Sequence, residues 1–81
     1  MTGYTPTPEQ IQESINAAFD SVNLINQYTL SGKTEFNIDL VARNYQHLEI
    51  MMAKQWFSSA LTSQQTIDID NAIVKGISYC S

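Results

Sequence analysis

The chain has 81 residues and a mass of 9.1 kDa, which holds one domain and excludes any barrel or doubly wound sheet. Four Lys and Arg against eight Asp and Glu give a net charge of −4, and the basic residues Lys33, Arg43, Lys54 and Lys75 are scattered, so no clustered basic face is offered to nucleic acid or to an anionic membrane. No apolar run approaches the ~20 residues of a membrane span, the first residues lack the pattern of a secretory signal, and a single cysteine, Cys80, cannot close an internal disulfide, which favours a reducing compartment.

Residues 1–7 are polar and without periodicity, and read as a flexible arm whose Tyr4 can dock on the body. The single domain then occupies residues 8–81. Thr7-Pro8-Glu9-Gln10 is a strong helix start: a Thr cap, Pro at the first helical position, and Gln three residues after the cap to close a capping box. It opens a first helix over about 8–29, with Ile11, Ile15, Ala18, Val22 and Ile25 spaced by fours and threes and Phe19 beside them. Ser31-Gly32-Lys33 ends it, with Gly32 placed to take the left-handed conformation.

The second helix is expected over about 38–58, capped by Asn37, on the stripe Ile38, Val41, Tyr45, Leu48, Met52 and Trp56. Thr62-Ser63-Gln64-Gln65 repeats the capping box and opens a third helix over about 63–79. There Ile69, Ile73, Ile77 and Cys80 share one face, with Ile67 and Val74 beside it. The alternation Thr66-Ile67-Asp68-Ile69-Asp70 also fits a short strand, but no second strand exists to pair with it. Short connections force antiparallel neighbours, so the expected fold is all-α, a three-helix up-down-up bundle.

Burial of apolar surface in a chain this small contributes on the order of 125 kcal/mol against an ordering cost of about 120, so packing quality or association must supply the margin. The second helix points to association. Its last third, Ile50, Met51, Met52, Ala53, Trp56 and Phe57, is apolar in nearly all directions, more than one small bundle can cover. A surface of Ile50, Met51, Ala53 and Phe57 is therefore expected to meet a partner, with Trp56 in the core and Phe57 pointing away from it. A second, polar stripe carries Asn44, His47 and Lys54.

Catalytic chemistry finds little purchase. His47 is the only histidine, and with Cys80 some thirty residues away no metal set is formed. Asp68 and Asp70 are two apart and diverge on a helix, no nucleophile, base and orienter fall together, and no Gly-rich phosphate loop is present. The expectation is no enzyme, no catalytic residue, no cofactor and no metal. Gly76 inside the third helix costs about 1 kcal/mol relative to Ala, which implies a close helix crossing there.

Asn44-Tyr45-Gln46-His47-Leu48-Glu49-Ile50-Met51-Met52-Ala53-Lys54, the aromatic pair Trp56-Phe57, and Ala72-Ile73-Val74-Lys75-Gly76-Ile77-Ser78-Tyr79 resemble small proteins of tailed bacteriophages, marine ones included, which share an N-x-x-H-L-x-I-M-x-A-K pattern and an A-I-x-x-G-x-x-Y ending. The resemblance covers about half of the chain. It implies a viral origin, a small helical fold, a place in the host cytoplasm or the virion, and no assigned activity. Together these readings point to a phage-like accessory or virion-associated protein that works by protein–protein contact, as a homo-oligomer with a dimer favoured or with another phage or host protein. The alternative is an acidic regulator or inhibitor of a host protein. That would need acidic residues gathered on one face, whereas Glu9, Glu13, Asp20, Asp39, Glu49, Asp68 and Asp70 are spread over three helices.

Overall fold

The computed structural model describes residues 5–81, and every regular element among them is helical. Four helices follow one another: α1 (Pro8–Tyr28), α2 (Glu35–Met52), the single turn α3 (Gln55–Ser58) and α4 (Ser63–Cys80). The all-α class stands, with one helix more than the sequence pattern announces. Tyr4 lies outside the described residues, as does most of the expected arm. The described part of that arm is held in place: Pro6 is buried and Thr7 caps α1.

Both capping boxes form. The Gln10 amide donates to Thr7 Oγ1 (3.2 Å) while the Thr7 amide donates to Gln10 Oε1 (2.9 Å). Thr62 and Gln65 make the same reciprocal pair at 3.1 and 2.9 Å. Each box satisfies two of the amides that a helix start leaves without partners. The end of α1 departs from expectation. Thr29 closes it in the right-handed conformation, its hydroxyl donating to the Ile25 carbonyl at 2.7 Å, and Gly32 does not adopt a left-handed backbone.

Helix α2 begins three residues before its expected start. Thr34, not Asn37, is the cap: the Asn37 amide donates to Thr34 Oγ1 (3.1 Å), and the Asn37 side chain donates instead to the Gly32 carbonyl (3.1 Å). An earlier hydroxyl cap wins because it satisfies the amide that Asn37 would otherwise leave open, and the Asn37 carboxamide then pins the preceding loop. The helix also stops early. It ends at Met52, Lys54 takes an extended conformation (φ −86°, ψ 117°), and the chain restarts as α3. In a continuous helix Phe57 would stand about 180° from Leu48, at about 100° per residue. The break redirects it, and Phe57 and Leu48 are both fully buried.

Three long helices enclose the core. Tyr45 of α2 packs at Gly76 of α4, and the Cys80 thiol donates to the Ile38 carbonyl at 3.5 Å, so α2 and α4 run antiparallel. Lys75 reaches Asn26 and Tyr79 reaches Gly32, which sets α1 and α4 parallel. The core holds Ile15, Ala18, Val22 and Ile25 from α1, Val41 and Leu48 from α2, Phe57 from α3, and Ile69 and Ala72 from α4. Among the described residues no buried side-chain nitrogen or oxygen lacks a partner, and no helix is long and apolar enough to cross a membrane.

The inward line of α4 is a further correction. Ile69, Ala72 and Gly76 are its buried residues, whereas Ile73 is half-buried and Ile77 is 42% exposed. Gly76 faces α2, where the absence of a side chain lets the two helices approach. A Cβ at Gly76 would lie 2.9 Å from Tyr45 Cβ, closer than carbon atoms pack, so the expected close crossing is present and falls on Tyr45.

Candidate interaction surfaces

The surface expected on the second helix is divided by the break. Ile50 is 61% exposed, Met51 is half-buried and Ala53 is exposed. Phe57 does not belong with them. Its ring is fully buried, and the half-buried Trp56 meets it edge-on, with ring centroids 6.1 Å apart and planes at 84°. Phe57 thus takes the core position expected of Trp56, while Trp56 packs half-buried against the core, because the Ala53–Lys54 interruption rotates everything after it.

The polar stripe is divided in the same way. Asn44 and His47 lie half-buried on α2, with the Asn44 carboxamide donating to the Leu40 carbonyl at 2.8 Å. Lys54 sits past the helix end, where its carbonyl accepts from the Phe57 and Ser58 amides, both at 3.0 Å. Its backbone therefore starts α3. Among the described residues no three His, Cys, Asp or Glu side chains converge in a way that would hold a metal ion.

On the outer side of α2 the exposed apolar residues are Phe36 (69%) and Ile50. They stand about 21 Å apart at 1.5 Å per residue. Between them lies the exposed ion pair Arg43 Nε to Asp39 Oδ2 at 3.1 Å. This face offers two separate apolar spots, not a patch.

The outer face of α4 is different. Ile67 is 51% exposed and Val74 66%, two turns apart, with Asn71 between them and Ile77 one turn further. Leu30, at the end of α1 and 88% exposed, lines the same open groove as Val74 and Tyr79, a hollow of about 790 Å³. The groove continues toward the start of α4 as a section of about 390 Å³ between Asn23 and Asn26 of α1 and Asp68 of α4. Lys75 borders both sections and donates to Asn26 Oδ1 at 2.9 Å. By sequence pattern Ile67 and Val74 stand beside the core face, and this surface is not evident there. The signal available to find it was the recurrence of Gln64, Ile67, Asn71, Val74 and Ser78 at alternating spacings of three and four.

The C-terminal end of α4 is fastened to the α1–α2 connection. The Tyr79 hydroxyl donates to the Gly32 carbonyl (2.9 Å), Lys33 Nζ lies 5.8 Å from the centre of the Tyr79 ring, and the same ammonium donates to the Ser81 carbonyl (3.1 Å). Cys80 is a free thiol, half-buried beside Ile38. Burial pushes its pKa up, and the Lys33 charge opposes that shift without reversing it.

Comparison of the chain with protein-family models, curated proteins and solved structures gives no significant match.

Proposed function

We propose that the protein acts by protein–protein contact and associates with a second copy of itself. The observation that carries this reading is the set of large apolar side chains held on outer helix faces, Phe36, Ile50, Ile67, Val74 and Ile77, with Leu30 exposed in the turn after α1. Scattered apolar residues are ordinary on any surface, but adjacent ones on a rigid helix are the feature that marks a contact site. Ile50, Met51 and Ala53 at the end of α2 remain available to such a contact, without Phe57. The accessory or virion-associated role belongs to the same reading and rests on the resemblance of residues 44–79 to phage proteins.

Size-exclusion chromatography with light scattering tests it on the full chain. A mass near twice 9.1 kDa at high micromolar concentration is the expected result, and a species of 9.1 kDa at that concentration overturns self-association.

A further inference from the structure

Gln64, Ile67, Asn71, Val74 and Ser78 all lie exposed on one side of α4, in the three-four alternation of a coiled-coil seam. Phe36, Asp39, Arg43, Gln46 and Ile50 follow the same alternation on α2, but their apolar ends stand two heptads apart across an ion pair, whereas Ile67 and Val74 stand one heptad apart with Asn71 between them. We infer that this face of α4 is a two-stranded seam for a second copy of the chain, with the two α4 helices parallel about a two-fold axis that runs along the seam. The inference rests on the self-association reading and specifies its surface.

Charge decides the orientation. Beside the seam, Asp68 and Lys75 lie on the edge toward α1, and Ser63, Asp70 and Ile77 lie on the opposite edge. A parallel two-fold brings unlike edges together, so Asp70 of each copy faces Lys75 of the other, five residues on, the usual spacing of interhelical ion pairs. An antiparallel pairing centred between Ile67 and Val74 brings like edges together: it also gives each Asp68 a Lys75 of the other copy, but it sets Asp70 against its own copy, a repulsion that the parallel pairing avoids. In the parallel arrangement Asn71 meets Asn71, and a carboxamide can donate to and accept from its own kind. A single polar residue at such a position fixes register at a cost in stability. The flanks agree as well. Leu30, on the edge toward α1, comes opposite Ile77 of the second copy, so the exposed apolar side chains that flank the seam cover each other.

The seam is short, since α4 has 18 residues. The bundle already holds the helix formed, so pairing does not have to meet the ordering cost that limits isolated coiled coils.

The test uses the full chain and two kinds of variant. Val74→Lys is expected to convert the dimer to a monomer with an unchanged circular dichroism spectrum, because Val74 makes little of the core. Asp70→Lys is expected to weaken the dimer at least tenfold, and Asp70→Lys with Lys75→Asp to restore it. In a Cys80→Ser background, Asn71→Cys and Val74→Cys should each cross-link to its own copy under mild oxidation. Linking through position 71 but not 74 would indicate the antiparallel arrangement and overturn the parallel one. A dimer that Val74→Lys leaves whole and Ile50→Lys splits overturns this seam while leaving self-association standing. A wild type that is monomeric at high micromolar concentration overturns both.

Discussion

The two faces of α4 invert the usual distribution of size. Apart from Ile69, its inward line is built from small residues, Ala72 and Gly76, while the outward side carries Ile67, Val74 and Ile77. The inward face is defined by approach: a side chain at Gly76 would collide with Tyr45, and removing side chains is what brings α2 close. The outward face is defined by spacing, with apolar residues two turns apart around Asn71. Hydropathy alone reads both as parts of one broad apolar helix. Close packing separates them, because interior space is allotted by shape and not only by apolar character.

Inward and outward apolar residues differ most in what their removal costs. Phe57→Ala should cost about 3–5 kcal/mol, the range for a large buried aromatic, and lower the urea midpoint accordingly or unfold the chain. Ile67→Ser, on the outer face, should change stability by no more than about 0.5 kcal/mol. Trp56→Ala should fall between them, since that ring is only half-buried. A Phe57→Lys variant that melts like the wild type would show that the chain continues as one helix through Lys54.

Much of the fold is legible before any coordinates are. The two Thr-x-x-Gln boxes mark the starts of α1 and α4, because their information is local and each forms as written. The α1 stripe likewise becomes the buried face, since a long amphipathic helix has one energetically sensible side. The interruption at Ala53–Lys54 carries no local signal. No Pro or Gly stands there, and every residue from Ile50 to Phe57 tolerates a helix. It is a tertiary decision: the core gains a fully buried Phe57, at the cost of the backbone bonds that a continuous helix would make across residues 53 and 54. The expected surface of Ile50, Met51, Ala53 and Phe57 failed at that one angular step. The apolar residues of α4 are plain in the sequence but its buried face is not, because Ala72 and Gly76 carry little hydropathy and yet are turned inward.

Effects of middle size sharpen the inward side. Gly76→Ala places a methyl 2.9 Å from Tyr45 Cβ, an atom fixed to the α2 backbone that moves only if the helix moves. Overpacking of this kind costs about 1–3 kcal/mol, and the better helix propensity of Ala returns about 1, so a net loss of about 1 kcal/mol is expected. Asn71→Ala on the outward side gains propensity without a clash and should slightly raise the melting temperature of the monomer. If the two alanine variants shift the melting temperature in the same direction, the two faces are not distinguished by approach. Thr62→Ala removes the cap that serves both faces. It should lower stability by about 1 kcal/mol in chemical denaturation and leave the inward and outward contacts equally affected.

The smallest expected effect lies where the inward line ends. Cys80 is half-buried against Ile38, and its thiol donates to the Ile38 carbonyl, an interaction that a thiolate cannot make. Burial raises the thiol pKa above its ordinary 9.0, and the Lys33 ammonium offsets only part of the shift. A folded-state pKa above the unfolded one means that the native chain holds the proton more tightly. The contribution of Cys80 to stability is therefore fully present below pH 9.0 and is lost as the pH rises through the folded-state value. Chemical denaturation between pH 7 and 10 should show a decline that Cys80→Ser makes shallower, and the thiol should react with iodoacetamide more slowly in the folded chain than in urea. Lys33→Ala tests the opposing charge: without the ammonium the thiolate is less favoured, so alkylation of the folded chain should slow further. Faster alkylation in that variant would mean that Lys33 acts chiefly by holding the C-terminal end of α4 closed, through Tyr79 and the Ser81 carbonyl, and not through its charge on the thiol.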